Sequence, residues 1–138
     1  MSHSLDLDLF LAQARFSGIH LGAAYCMSLA LRQDHLYLVI EGSMTQHIPD
    51  EFTDTVEAGL TLMPTARLVV DLTKTTHISS VTIAYLVSYV KHAQGRGQKQ
   101  VPLLRANARI ATLVKMVGLN DFFVHCANEA EVAAALNK

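Results

Sequence analysis

The sequence predicts an α/β domain in which about four helices cover a mixed sheet of four to five strands. Three observations predict it. Short apolar runs such as Leu36–Ile40 and Leu68–Leu72 alternate with longer stretches whose apolar residues recur every three or four positions. Two strand-like runs adjoin as a hairpin before that alternation begins, so an antiparallel start leads into a parallel portion that needs helical cover. The chain has 138 residues, 51% hydrophobic and 17% charged. That suits one compact domain burying roughly 70% of its unfolded surface. No internal repeat or linker divides it.

Taken in order, residues 1–22 form an N-terminal extension of uncertain structure, and the domain proper spans 23–138. In the extension Leu5, Leu7, Leu9 and Leu11 alternate like a strand, while Leu5, Leu9, Ala12 and Phe16 fit a helix face. Periodicity does not decide between them. From Ala24, Met27, Leu29 and Leu31 alternate with Cys26, Ser28 and Ala30, as in a half-buried strand. Gln33-Asp34 marks a turn, and Glu41-Gly42 ends the second strand. Pro49 opens a helix with Asp50 and Glu51 at its positive end and Phe52, Val56, Leu60 and Met63 inward. Pro64 stops it.

The strand Ala66–Leu72 follows, then a hydroxyl-rich connection to Ser79 and Ser80. A second helix carries Ile83, Leu86, Val87 and Val90 on one face and ends at Gly95 and Gly97. Val101–Arg105 is the next strand, with Pro102 at an edge or strand start. Asn107 caps a third helix with Ile110, Leu113, Val114 and Val117 inward and Gly118 as its stop. Phe122–Cys126 adds a short strand, and Asn128 caps a last helix, Glu129–Leu136.

Composition narrows the function classes. A net charge of −1 does not suggest nucleic-acid binding or a polybasic membrane anchor. The charge is uneven: residues 1–72 carry −6 and residues 73–138 carry +5. No apolar run reaches the ~18 residues of a membrane span. Asp6 and Asp8 interrupt the N-terminal apolar region, which is unlike a signal peptide. Cys26 and Cys126 read as buried thiols in a reducing, cytoplasmic setting.

Catalytic signatures are thin. Asp71, His77 and Ser79 or Ser80 supply the residue types of a hydrolase triad, but no G-x-S-x-G elbow is present. The seven histidines are scattered without metal-ligand spacing, and Gln94-Gly-Arg-Gly-Gln98 falls between a helix and a strand, the wrong order for a phosphate loop. No cofactor is expected. The serines sit where a loop enters a helix. Two readings follow: one of them is simply the cap, its hydroxyl satisfying an orphan N–H, or a hydroxyl there takes a phosphate that the helix N–H groups and dipole accommodate; common caps put the first reading ahead on physics alone.

Three segments resemble the STAS domain, the fold of bacterial anti-sigma-factor antagonists. Leu68-Val-Val-Asp-Leu72 is similar to the family's central strand. Ile78-Ser-Ser-Val-Thr-Ile-Ala-Tyr-Leu86 lies where those proteins carry hydrophobic-Asp-Ser-Ser/Thr-Gly-hydrophobic-Gly/Ala-x-Leu. The segment Val101–Phe123 resembles their strand–helix–Gly-Leu unit. The resemblance runs from about Ala24 to the C-terminus. It implies a non-enzymatic module that binds an anti-sigma factor, a serine kinase or a switch protein, with a phosphatase among the candidates; residues 1–22 cover the hairpin, extend the sheet or make a homodimer contact, three alternatives the sequence leaves open.

Position by position, the family's phosphoacceptor falls on Ser80, with Ser79 as second choice. Its acidic residue falls on Ser79 and its glycine on Thr82, two departures from the family pattern. The implied docking face is His77, Ser79, Ser80, Val81, Thr82, Tyr85 and Tyr89. A constitutive scaffold or accessory subunit, in a signalling assembly or a transporter, is the alternative with the same fold.

Overall fold

A computed structural model describes residues 10, 11 and 13–137. Among them, six strands form one sheet in the order β1-β2-β3-β4-β5-β6: Arg15–His20, Ala23–Arg32, His35–Met44, Leu68–Ile78, Val101–Leu104 and Phe123–Cys126. The first two pairings are antiparallel and the remaining three parallel. Four helices connect or follow the parallel strands: α1 (Asp50–Leu62), α2 (Ser80–Gln94), α3 (Ala108–Met116) and α4 (Glu129–Leu136). Among the described residues no helix is long and apolar enough to cross a membrane.

The sheet has six strands where four to five were expected. The extra strand is β1, which pairs with β2 along its whole length, from Arg15 opposite Ser28 to His20 opposite Ala23. Phe16 therefore lies on a strand, not on a helix face. Phe10 and Leu11 are helical and pack, half-buried, against the core. Leu5, Leu7, Leu9 and Ala12 lie outside the described residues.

The hairpin turn follows from its residues. Gln33 and Asp34 both have positive φ, 51° and 64°, the pairing that matches the twist of two antiparallel strands. Beyond it β3 continues past Glu41-Gly42 to Met44, further than expected. Gly42 has φ 81°, and a β-carbon there would lie 2.1 Å from the Ala24 carbonyl oxygen. Only glycine fits. The residue that looked like a strand end is instead a point of close approach inside a bulged strand.

Side-chain alternation places the core on both faces of the sheet. Leu36, Leu38 and Ile40 of β3 and Leu68, Val70 and Leu72 of β4 point to one face. There they meet Phe52, Val56 and Leu60 of α1, Ile83, Leu86 and Val90 of α2, and Ile110 and Val114 of α3. Fully burying each such side chain contributes about 1.5–3 kcal/mol. Tyr37 and Val69 point to the other face, where Leu104, Cys126, Val132 and Leu136 complete a smaller cluster under α4. Burial pushes the Cys126 thiol up, as it does Cys26. Leu31 and Val117, expected inward, are 39% and 40% exposed, because each sits at the end of its element, past the packed layer.

Candidate docking site at the end of strand β4

Strand β4 is eleven residues long, and its far half is the expected polar connection. Thr73 to Thr76 are strand because β3 is long enough to pair with them: Glu41 lies beside Lys74, Gly42 beside Thr75 and Met44 beside Ile78. Threonine is β-branched and tolerates the pleat well. His77 thus lies on a strand, half-buried, and the true loop is a single residue, Ser79.

Ser79 is the cap of α2. Its backbone is extended, its Oγ accepts the Thr82 N–H at 3.3 Å, and its own N–H donates to the Met44 carbonyl at 3.2 Å. Ser80, the first residue of the helix, is exposed. Val81 beside it is 37% exposed. The two adjacent serines therefore differ in kind: one is consumed by the fold and the other faces solvent.

Two members of the expected docking face are core residues. Thr82 is fully buried and donates its hydroxyl to the Met44 carbonyl at 2.8 Å. Tyr89 is fully buried, with its hydroxyl 3.0 Å from Thr53 Oγ1, and burial pushes that hydroxyl up to about 12. Neither side chain is open to a partner, because each hydroxyl finds its hydrogen bond inside the domain. Tyr85 remains at the surface, half-buried, with the His47 ring edge-on to it at 6.4 Å. His47 went unnoticed in the sequence because it lies in the irregular segment after β3, where no period marks it. Asn107 caps α3 through the Ile110 N–H at 2.9 Å. Its amide nitrogen also reaches the Thr75 and Thr76 carbonyls at 3.3 and 3.2 Å, tying α3 to β4.

The triad residue types do not converge. Asp71 and His77 are six positions apart on one strand, roughly 20 Å at ~3.3 Å per residue. Asp71 is also engaged elsewhere, accepting from Arg32 Nη1 at 2.8 Å and from the Thr73 N–H at 2.9 Å. Burial alone would raise its pKa, but the bonds from Thr73 and Arg32 outweigh it and hold the carboxyl below the usual range. Arg32 lies 4.7 Å over the Tyr37 ring, and the Tyr37 hydroxyl donates to Glu129 at 2.8 Å, so this charge stitches α4 to the sheet. Among the described residues no three His, Cys, Asp or Glu side chains gather as a metal site would require.

A family model for the STAS domain matches residues 27–133. The chain belongs to the STAS domain family. Its fold is similar to that of an anti-sigma-factor antagonist domain protein from Planctomyces limnophilus, with TM-score 0.61 and 11% identity over 79% of this chain and 96% of that one. A proposed anti-sigma factor antagonist from Thermotoga maritima gives TM-score 0.65 and 12% identity over 81% and 95%. The Bacillus cell fate determinant SpoIIAA in its phosphorylated form gives 0.54 and 8% over 78% and 97%. At these identities the likeness is one of fold. No curated protein matches the chain in sequence.

Proposed function

We propose that this STAS domain is a non-enzymatic docking module, cytoplasmic and acting in signalling, whose binding to a regulatory protein is weakened by phosphorylation of Ser80. The partner class carried over from the family is an anti-sigma factor or a kinase-like switch protein. The observation that carries the reading is the division of labour between the serines. Ser79 spends its hydroxyl on the cap, and Ser80 stands exposed at the first turn of α2. That turn holds no acidic side chain, whereas α1 has Asp50 and Glu51 and α4 has Glu129 and Glu131 in theirs. A phosphate of about −1.5 to −2 charges there meets the positive end of the helix dipole without a competing carboxylate. The docking surface is His77, Ser80, Val81 and Tyr85, with Ser79 behind them. Phosphate placed inside such a contact would bury charge without a counter-ion, which is strongly unfavourable.

Recovery of partner on immobilised wild-type and Ser80→Glu protein tests the switch. The expected result is loss of the partner from the Ser80→Glu protein, with phosphate on Ser80 in protein from the source cell by mass spectrometry. A Ser80→Ala protein that keeps its phosphate moves the assignment away from Ser80. A constitutive scaffold is favoured by one observation: the buried Thr82 hydroxyl, at the family's glycine position, is locked to Met44. Equal recovery on wild type and Ser80→Glu supports that reading.

A further inference from the structure

Between residues 72 and 120 the chain carries seven lysines and arginines and not one aspartate or glutamate. That span comprises the far half of β4, helix α2, strand β5 and helix α3. Among the described residues only Lys74 in it forms an ion pair, with Glu41 at 3.9 Å and the lysine 76% exposed. Arg109 and Lys115 on α3 are exposed and have no acidic partner among the described residues.

Beside Arg109 lies an apolar groove of about 350 Å³ between the end of β4 and α3. Ile78, Ile110, Leu113 and Met116 line it, with His77 and Arg109 at its rim. Met116 is 78% exposed, and Val117 next to it is 40% exposed. Arg109, Leu113 and Met116 recur at spacings of four and three, so one face of α3 presents a cation at one end and a large flexible apolar side chain at the other.

We infer that this groove docks an acidic, apolar-anchored segment of the partner protein. A large apolar side chain enters between Leu113 and Met116, and a flanking carboxylate meets Arg109. Charge complementarity selects this occupant. A basic segment would meet Arg109 and find no carboxylate among the lining residues, and a nucleic-acid backbone would use the cation but leave the apolar groove empty. The inference rests on the docking reading and adds a reason for its sign. Ser80 follows two residues after Ile78, so a phosphate there adds negative charge near the groove and repels incoming carboxylates.

The test uses the purified full chain and a fluorescent amphipathic peptide with leucine and phenylalanine on one helical face and glutamate elsewhere. A counterpart with lysine for glutamate and a single-stranded RNA serve as rivals. The acidic peptide is expected to bind at least about tenfold more tightly than its lysine counterpart, with affinity falling as salt rises. Met116→Asp and Arg109→Glu should each weaken it about tenfold. In a methyl-labelled methionine spectrum the Met116 signal should move, while those of the buried Met27 and Met44 stay.

No binding of the acidic peptide, equal binding of the lysine counterpart, or indifference to Met116→Asp overturns the inference. So does RNA binding that displaces the peptide, or a wild-type dimer that Met116→Asp dissolves, since a second copy would then cover the groove. A Ser80→Glu arm separates the two proposals. Peptide binding that ignores Ser80→Glu leaves the groove and removes the switch. A native partner lost on Ser80→Glu, with no peptide bound by wild type, does the reverse.

Discussion

The middle of strand β4 and its far end are built from similar residues and meet opposite surroundings. In the middle Asp71 is closed into a set of internal contacts with Arg32 and the Thr73 N–H, and Glu129 and Tyr37 continue them to α4. At the far end, Ile78 and Ser79 hand the chain to α2 with Ser80, Val81 and Tyr85 at the surface. Residue type does not separate them, since the stretch from Asp71 to Thr73 and that from His77 to Ser80 each offer a hydroxyl and one titratable side chain. What separates them is whether a neighbouring element supplies partners. α4 and Arg32 do so for Asp71, while the cap and the Met44 carbonyl satisfy Ser79 and Thr82 and leave Ser80 over.

Three measurements break or sharpen that contrast. The largest effect is expected from Leu68→Ala, fully buried at the start of the strand, which should cost roughly 2–5 kcal/mol in urea unfolding. A loss under about 1 kcal/mol would mean that this end of the strand is not packed as described.

Next is Asp71→Asn, expected to cost about 1–3 kcal/mol at neutral pH by removing a charge-assisted bond beside Arg32. Its folded pKa lies below the unfolded value. The carboxylate therefore contributes in full above the unfolded pKa of about 3.9 and progressively less as pH falls toward the folded one. The gap between wild type and Asp71→Asn should accordingly narrow in acid below about pH 4. A gap that widens there would reverse the assigned shift.

The smallest effects test the serines directly. Ser79→Ala should cost about 1 kcal/mol as a lost cap, and Ser80→Ala less than about 0.5. Equal costs would erase the distinction on which the docking surface rests.

Most elements were legible because their apolar periods are undisturbed. The helix after Pro49 and the pairing of Ala23–Arg32 with His35–Met44 follow from alternation and turn chemistry that tertiary contacts reinforce. Arg15–His20 was not legible. It lies at the sheet edge with every other residue exposed, so no apolar face marks it. The far half of β4 was hidden for a related reason: its backbone is paired by β3 while Thr73, Lys74 and Thr76 face water. At the site the serine pair stood out, but the burial of Thr82 and Tyr89 did not. Their partners, Met44 and Thr53, come from other elements and leave no trace in a helical period.

The strand order of the sheet is the order of the chain, and this bears on how the domain assembles. Each strand after the first pairs with the strand made just before it. During synthesis, then, every new strand emerges next to an edge that already exists, and none waits for a later segment to find a place. The longest delays are the three helical crossovers between parallel neighbours, whose loop-closure cost grows only slowly with length. The N-terminal hairpin can offer Leu36, Leu38 and Ile40 as a template before β4 is made. The far end of β4, with Ser80 just beyond it, is then laid down on a sheet already three strands wide.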